Sequence, residues 1–123
     1  MNGKTILIIE DDTFLQGLTA NKLQQSGFEV NTVSNGSDAI TEISTQKYDA
    51  IILDLMLPDV SGFEILKQIR GRETNNQVPV LIFSNLSDDK DIKMGLELGA
   101  TDYLVKANFT LEELVEKVKN IFI

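Results

Sequence analysis

The chain has 123 residues, 42% hydrophobic and 24% charged, with a net charge of −8. That size and balance suit one folded domain with a real core and argue against disorder. It contains neither cysteine nor histidine, which excludes disulfides, thiolate and imidazole catalysis, and metals bound by sulfur or imidazole.

Short apolar runs alternate with helical patterns along the chain. Residues 5–9, TILII, form a continuous apolar run, the mark of a strand covered on both faces. The run ends in three successive acids, Glu10, Asp11 and Asp12. A helix over 13–26 follows, and Gly27 stops it. FEVNTV (28–33) alternates and predicts a strand nearer a sheet edge. Asn35-Gly36 makes a turn that also supplies an N-cap for a helix over 37–44. AIIL (50–53) is a second buried strand, closed by Asp54. GFEILKQIR (62–70) places Phe63, Leu66 and Ile69 on one helical face. VPVLIF (78–83) is a third buried strand, leading to Ser84. Residues 88–98 form a helix with Asp88 and Asp89 at its start and Gly99 at its end. DYLV (102–105) is a short fifth strand that runs into Lys106. The last helix opens on a capping box, Thr110 with Glu113, and carries Leu111, Leu114, Val115, Val118, Ile121 and Phe122 at helical spacing.

Five strands alternating with five helices predict a parallel α/β sheet covered on both faces. For five strands, right-handed crossovers favour the doubly wound, flavodoxin-like order 2-1-3-4-5. No linker or repeat divides the chain, so residues 1–123 are expected to form one domain. No stretch approaches the roughly 20 apolar residues of a membrane span. The N-terminus also lacks the apolar core of a signal peptide. A cytoplasmic protein without membrane insertion is the expectation. The acidic balance argues against direct binding to nucleic acid, whose backbone is gripped by Lys and Arg.

In such a sheet, sites form beyond the carboxyl ends of the strands. Those ends carry Glu10, Asp11 and Asp12, then Asp54, Ser84 and Lys106. Like charges crowded together need compensation, and one ammonium offsets only part of it. With no histidine or thiolate available, the remaining partner is a hard divalent cation. Mg²⁺ takes one or two carboxylates, waters and a phosphate oxygen at about 2.0–2.1 Å. A metal beside a carboxylate, a hydroxyl and a lysine is equipment for phosphoryl transfer, with the carboxylate as nucleophile. Flavin phosphate binding fits worse, because EDDTF after the first strand would repel a phosphate.

ILIIEDD, DAIILDLMLPDVSGFEIL, VLIFSN and GATDYLVK, in that order and spacing, resemble the receiver domain of two-component response regulators, the chemotaxis-regulator-like family. The resemblance covers essentially the whole chain. It implies that Asp54 is the phosphoacceptor and Asp11 a direct Mg²⁺ ligand. Glu10 would act on the metal through water, and Met56 through its backbone carbonyl. It implies further that Ser84 and Lys106 engage the phosphoryl group. Ser84 and Tyr103 would be the switch residues of a face made by the fourth helix, fifth strand and fifth helix. Pro58 and Gly62 match shape-setting positions, Gly62 by opening a helix or by supplying a positive φ. Asp12 is read as a helix cap rather than a ligand.

The implied partners are a sensor histidine kinase or phosphotransfer protein as donor and a downstream protein on the switch face, with a homodimer as a further use of that face. The domain would catalyse its own phosphorylation and dephosphorylation without being a turnover enzyme. The chain ends just after the fifth helix, which predicts a domain that docks a partner or belongs to a longer regulator.

Two positions depart from the family pattern. Ala107 replaces the usual proline after the lysine, and a cis bond to a non-proline residue costs about 2.5–4 kcal/mol, so the 106–107 bond is expected to be trans. Asn85 follows the strand-end hydroxyl where a smaller residue is usual, and is expected to slow phosphorylation by small donors. Met56 and Leu86 are both apolar, so neither easily positions an attacking water, and a long-lived phospho-form is expected. The Ala107 and Asn85 departures leave room for a rival, a pseudo-receiver acting as a phosphorylation-independent interaction module. An Mg²⁺-dependent phosphohydrolase fits less well, because no second acid follows Asp54 two residues on.

Overall fold

In the computed structural model, which describes residues 3–123, the chain runs β1 (Thr5–Ile9), α1 (Thr13–Gln25), β2 (Glu29–Val33), α2 (Gly36–Thr45), β3 (Ala50–Leu53), α3 (Gly62–Gly71), β4 (Val80–Ser84), α4 (Asp89–Glu97), β5 (Asp102–Val105), a 3-10 turn (Lys106–Asn108) and α5 (Leu111–Ile121). The strands pair in parallel in the order β2-β1-β3-β4-β5, as the alternation of elements predicts.

The apolar runs are continuous because strand side chains alternate between two buried faces. Leu7, Ile9, Ile51, Leu53, Val80 and Ile82 pack on one side with Ala39 and Ile43 of α2 and Ile65, Leu66 and Ile69 of α3. Ile6, Ile8, Ile52, Leu81, Phe83 and Leu104 face the other way, against Leu23 of α1 and Leu114, Val115 and Val118 of α5. Each aliphatic side chain buried this way contributes roughly 1.5–3 kcal/mol before the entropy of ordering it. β2 lies at the edge, and only Val30 and Val33 of its residues are even partly buried.

Helix ends follow the local chemistry. Asp12 accepts from Leu15 N at 3.0 Å and caps α1, and Asn35 accepts from Asp38 N at 2.8 Å to cap α2. The Thr110–Glu113 capping box closes in both directions. Gly27 and Gly99, after α1 and α4, sit at φ 95° and 106°, where side chains with a Cβ are strained.

β4 departs from its apolar run: it begins at Val80 rather than Val78, and includes Ser84. Pro79 has no N–H for a ladder and takes part only through its carbonyl, which accepts from Ile51 N at 2.9 Å. Phe28, likewise, precedes β2 and is buried against α5 rather than paired, its ring 5.9 Å from that of Phe122. No helix among the described residues is long and apolar enough to cross a membrane.

Candidate functional site

β1 and β3 are neighbours, with Ile9 opposite Leu53, so the next residues, Glu10 and Asp54, leave the sheet side by side. The ladder continues one step past the strands. Asp54 N donates to the Ile9 carbonyl at 2.9 Å, and Glu10 N donates to that of Val33 at 3.1 Å. Glu10 and Asp54 are buried, whereas Asp11 is exposed. One carboxylate oxygen from each of the three lies within 4.8 Å of the others.

Lys106 reaches this cluster from the end of β5. Its Nζ is 2.7 Å from Glu10 Oε1 and 3.0 Å from Asp54 Oδ2, and 5.8 Å from the centre of the Phe83 ring below it. Backbone amides take the other oxygens: Asp12 N donates to Glu10 Oε2 at 3.1 Å, and Met56 N to Asp54 Oδ1 at 3.2 Å. Two of the three carboxylates thus share a single ammonium.

The electrostatic consequence falls on Glu10. Burial raises its pKa, the hydrogen bond from Lys106 opposes the rise and the Asp54 charge adds to it, leaving the group at about 7. For Lys106, burial works against the charge. The hydrogen bond to Glu10 and the charge of Asp54 outweigh it and raise its pKa above the ordinary value. Three carboxylates that converge within 4.8 Å and offer oxygen donors only suit a hard oxygen-ligated cation.

Ser84 ends β4, wholly buried, and its Oγ accepts from Leu86 N at 3.4 Å. Tyr103 is buried as well, and its hydroxyl donates to the Leu86 carbonyl at 2.8 Å. Burial first, then the charges of Asp91, Asp54 and Asp88, push the Tyr103 hydroxyl up to about 12. Both candidate switch residues therefore meet at one residue of the loop between β4 and α4.

Met56 and Asn85 are exposed. The 106–107 peptide is trans, as Ala107 predicts, because no cis bond occurs among the described residues. Gly62 opens α3 without a positive φ. Its requirement is close approach: a Cβ there would stand 2.4 Å from Leu55 Cα and 2.6 Å from the Asp54 carbonyl oxygen.

Two neighbours of the site have no clear signal in the sequence. Gln16, in α1, places Nε2 3.0 Å from the Glu10 and Val33 carbonyls and 3.2 Å from Ser34 Oγ, tying the exits of β1 and β2 together. Asp59, in the loop after β3, bonds to the start of α2. Both depend on segments that meet only in the folded chain.

A family model for the response regulator receiver domain matches residues 6–119. The chain belongs to that family. It is 37% identical over 118 residues to the transcriptional regulatory protein GltR of Pseudomonas aeruginosa, a match covering 96% of this chain and 48% of GltR. The chain spans about half the length of the curated relatives it matches. Among solved structures, the beryllofluoride-activated DrrB receiver domain superposes with a TM-score of 0.87 at 35% identity, covering 99% of this chain and 98% of that one. The receiver domain of the sensor histidine kinase PA1611 of Pseudomonas aeruginosa, which has a magnesium ion coordinated in its active-site cleft, gives 0.87 at 30% identity, covering 98% and 99%.

Proposed function

We propose that the domain is a phosphorylation-controlled switch, in which Asp54 accepts a phosphoryl group from a phosphohistidine of a sensor kinase or phosphotransfer protein. The convergence of the Glu10, Asp11 and Asp54 carboxylates on one point, with Lys106 bonded to two of them, carries this reading. Asp11 and Asp54 would hold Mg²⁺ directly, the Met56 carbonyl would be a third protein ligand, and Glu10 would act through water. Bound there, Mg²⁺ would take up negative charge on the phosphoryl oxygens.

In the transfer, a carboxylate oxygen of Asp54 attacks phosphorus and the P–N bond of the donor breaks. The imidazole leaves with the bonding pair, neutral when its other ring nitrogen carries a proton, and Asp54 becomes an acyl phosphate. Lys106, already 3.0 Å from Asp54 Oδ2, offsets charge on the equatorial oxygens. No external substrate is turned over in a cycle, so the domain is a phosphoacceptor and not an enzyme in that sense.

The output follows from Leu86. A Ser84 hydroxyl that turns toward a phosphoryl oxygen releases the Leu86 amide and moves the carbonyl on which the Tyr103 hydroxyl rests. Phosphorylation shifts the two-state balance only by the difference between those contacts in the two states. The surface of α4, β5 and α5 beside Tyr103 is the proposed docking face, for a downstream protein or a second copy. A cytoplasmic location, within reach of the kinase, belongs to this proposal.

Beryllofluoride with Mg²⁺, followed by NMR, tests it. The amides of Ser84, Leu86 and Tyr103 should shift, and Asp54→Ala should abolish the effect. An unresponsive wild-type chain would instead favour the phosphorylation-independent interaction module. Catalytic consumption of acetyl phosphate would favour a hydrolase.

A further inference from the structure

The loop from Asp54 to Ser61 carries the phosphoacceptor and Met56, and it is fastened at two places. At its end, Gly62 N donates to the Leu55 carbonyl at 3.0 Å, in the close approach that only glycine permits. At its outer turn, the Asp59 carboxylate reaches a different element. Oδ1 accepts from Gly36 N at 2.7 Å and Oδ2 from Ser37 N at 3.0 Å, while Val60 N also donates to Oδ1 at 3.0 Å.

Gly36, Ser37 and Asp38 are the first three residues of α2, whose N–H groups have no partner within the helix. Asn35 satisfies the third of these, and Asp59 satisfies the first two. The fit is close: a Cβ on Gly36 would lie 2.6 Å from Val60 Cβ and 3.1 Å from Asp59 Oδ1. These amide bonds also hold the Asp59 carboxyl below its ordinary pKa, so it stays charged at neutral pH.

We infer that Asp59 is a positioning residue: by clamping the loop after β3 to the start of α2, it holds Met56 and Asp54 in the arrangement that receives Mg²⁺. The inference rests on the proposed metal-dependent function of that loop. Asp59 is not one of the three clustered carboxylates, and acts through the loop backbone. Groups beyond the ligands that orient a metal site typically change affinity by about 10–100-fold when removed. An exposed loop clamp belongs at the low end of that range.

Asn35→Ala is the control, because it removes a cap from the same end of α2 without touching the loop. The readouts are amide hydrogen exchange of residues 55–60 in the metal-free protein and the Mg²⁺ dissociation constant from amide shifts. Asp59→Ala should speed exchange across 55–60 and raise the dissociation constant about tenfold, and Asn35→Ala should change neither. Asp59→Asn keeps one acceptor oxygen and should fall between, which preserves the test if the alanine variant folds poorly. Unchanged exchange and affinity in both Asp59 variants, or an equal loss in Asn35→Ala, would overturn the clamp while leaving the phosphoacceptor proposal intact. A wild-type chain with no saturable Mg²⁺ response would overturn both.

Discussion

Glu10 is the carboxylate of the cluster whose ionisation is most disfavoured, by its burial first and then by the charge of Asp54 against the hydrogen bond from Lys106. Its pKa of about 7, against an ordinary 4.5, means the folded chain binds this proton more tightly than the unfolded chain. Glu10 therefore contributes stability that is fully present below its ordinary pKa and lost as pH rises toward about 7. Lys106, also raised, contributes stability that is lost only in alkali, as pH passes through its own folded pKa. A cation bound beside Glu10 favours its ionised form, so Mg²⁺ affinity should rise with pH up to about 7 and level off above it. NMR titrations at several pH values check this, and a flat profile would contradict it. The role proposed for Asn85, exposed next to Ser84, is to narrow the approach for small donors. Asn85→Ala should speed phosphorylation by acetyl phosphate about threefold, equivalent to about 0.7 kcal/mol of barrier; an unchanged rate would remove that role. With Met56 and Leu86 both apolar, the phospho-form should last minutes rather than seconds, as a dephosphorylation time course would record. The acids and the lysine were legible in the sequence because each closes an apolar strand. The shared bonds to Leu86, the Gln16 tie and the Asp59 clamp were not, since each depends on segments that meet only after folding.

Among the elements, α3 and α4 each present a glycine to the sheet or its loops, and the two predict different outcomes. At Gly62 an added Cβ meets backbone atoms, 2.4 Å from Leu55 Cα, which cannot rotate away. Gly62→Ala should cost about 3 kcal/mol, the upper end for overpacking, and should disturb the Asp54 loop as well. At Gly95 the Cβ meets movable side chains, 2.7 Å from Ile82 Cδ1 and 3.1 Å from the Tyr103 ring. Alanine gains about 1 kcal/mol of helix propensity there, against about 1–3 kcal/mol of overpacking. Gly95→Ala should therefore be destabilised by no more than about 2 kcal/mol, with the Tyr103 ring displaced from its inward position. Urea unfolding with NMR of the Tyr103 ring separates the cases. A Gly95→Ala chain that keeps the Tyr103–Leu86 hydrogen bond would contradict the second. Most element boundaries followed from caps and glycine stops within a residue or two. β4 was displaced because its first apolar residues flank Pro79, which offers no donor to the ladder.

For the whole molecule, the order of the strands decides what the cluster can be. Placing β1 beside β3 in the interior of the sheet brings Glu10 and Asp11 to Asp54, and adding β4 and β5 on one side brings Ser84 and Lys106 to the same edge. That arrangement was legible because alternating strands and helices admit few right-handed parallel topologies. The same order gives each central strand two apolar faces, so the acids sit on a rigid base rather than on free loops. The central claim is that this edge loads a phosphoryl group onto one aspartate, and intact-protein mass spectrometry after incubation with acetyl phosphate and Mg²⁺ tests it most directly. The wild-type chain should gain a single phosphoryl group, and should gain none with EDTA or as Asp54→Ala. Equal phosphorylation of the Asp54→Ala chain, or none in the wild type with Mg²⁺ in excess, would contradict the account.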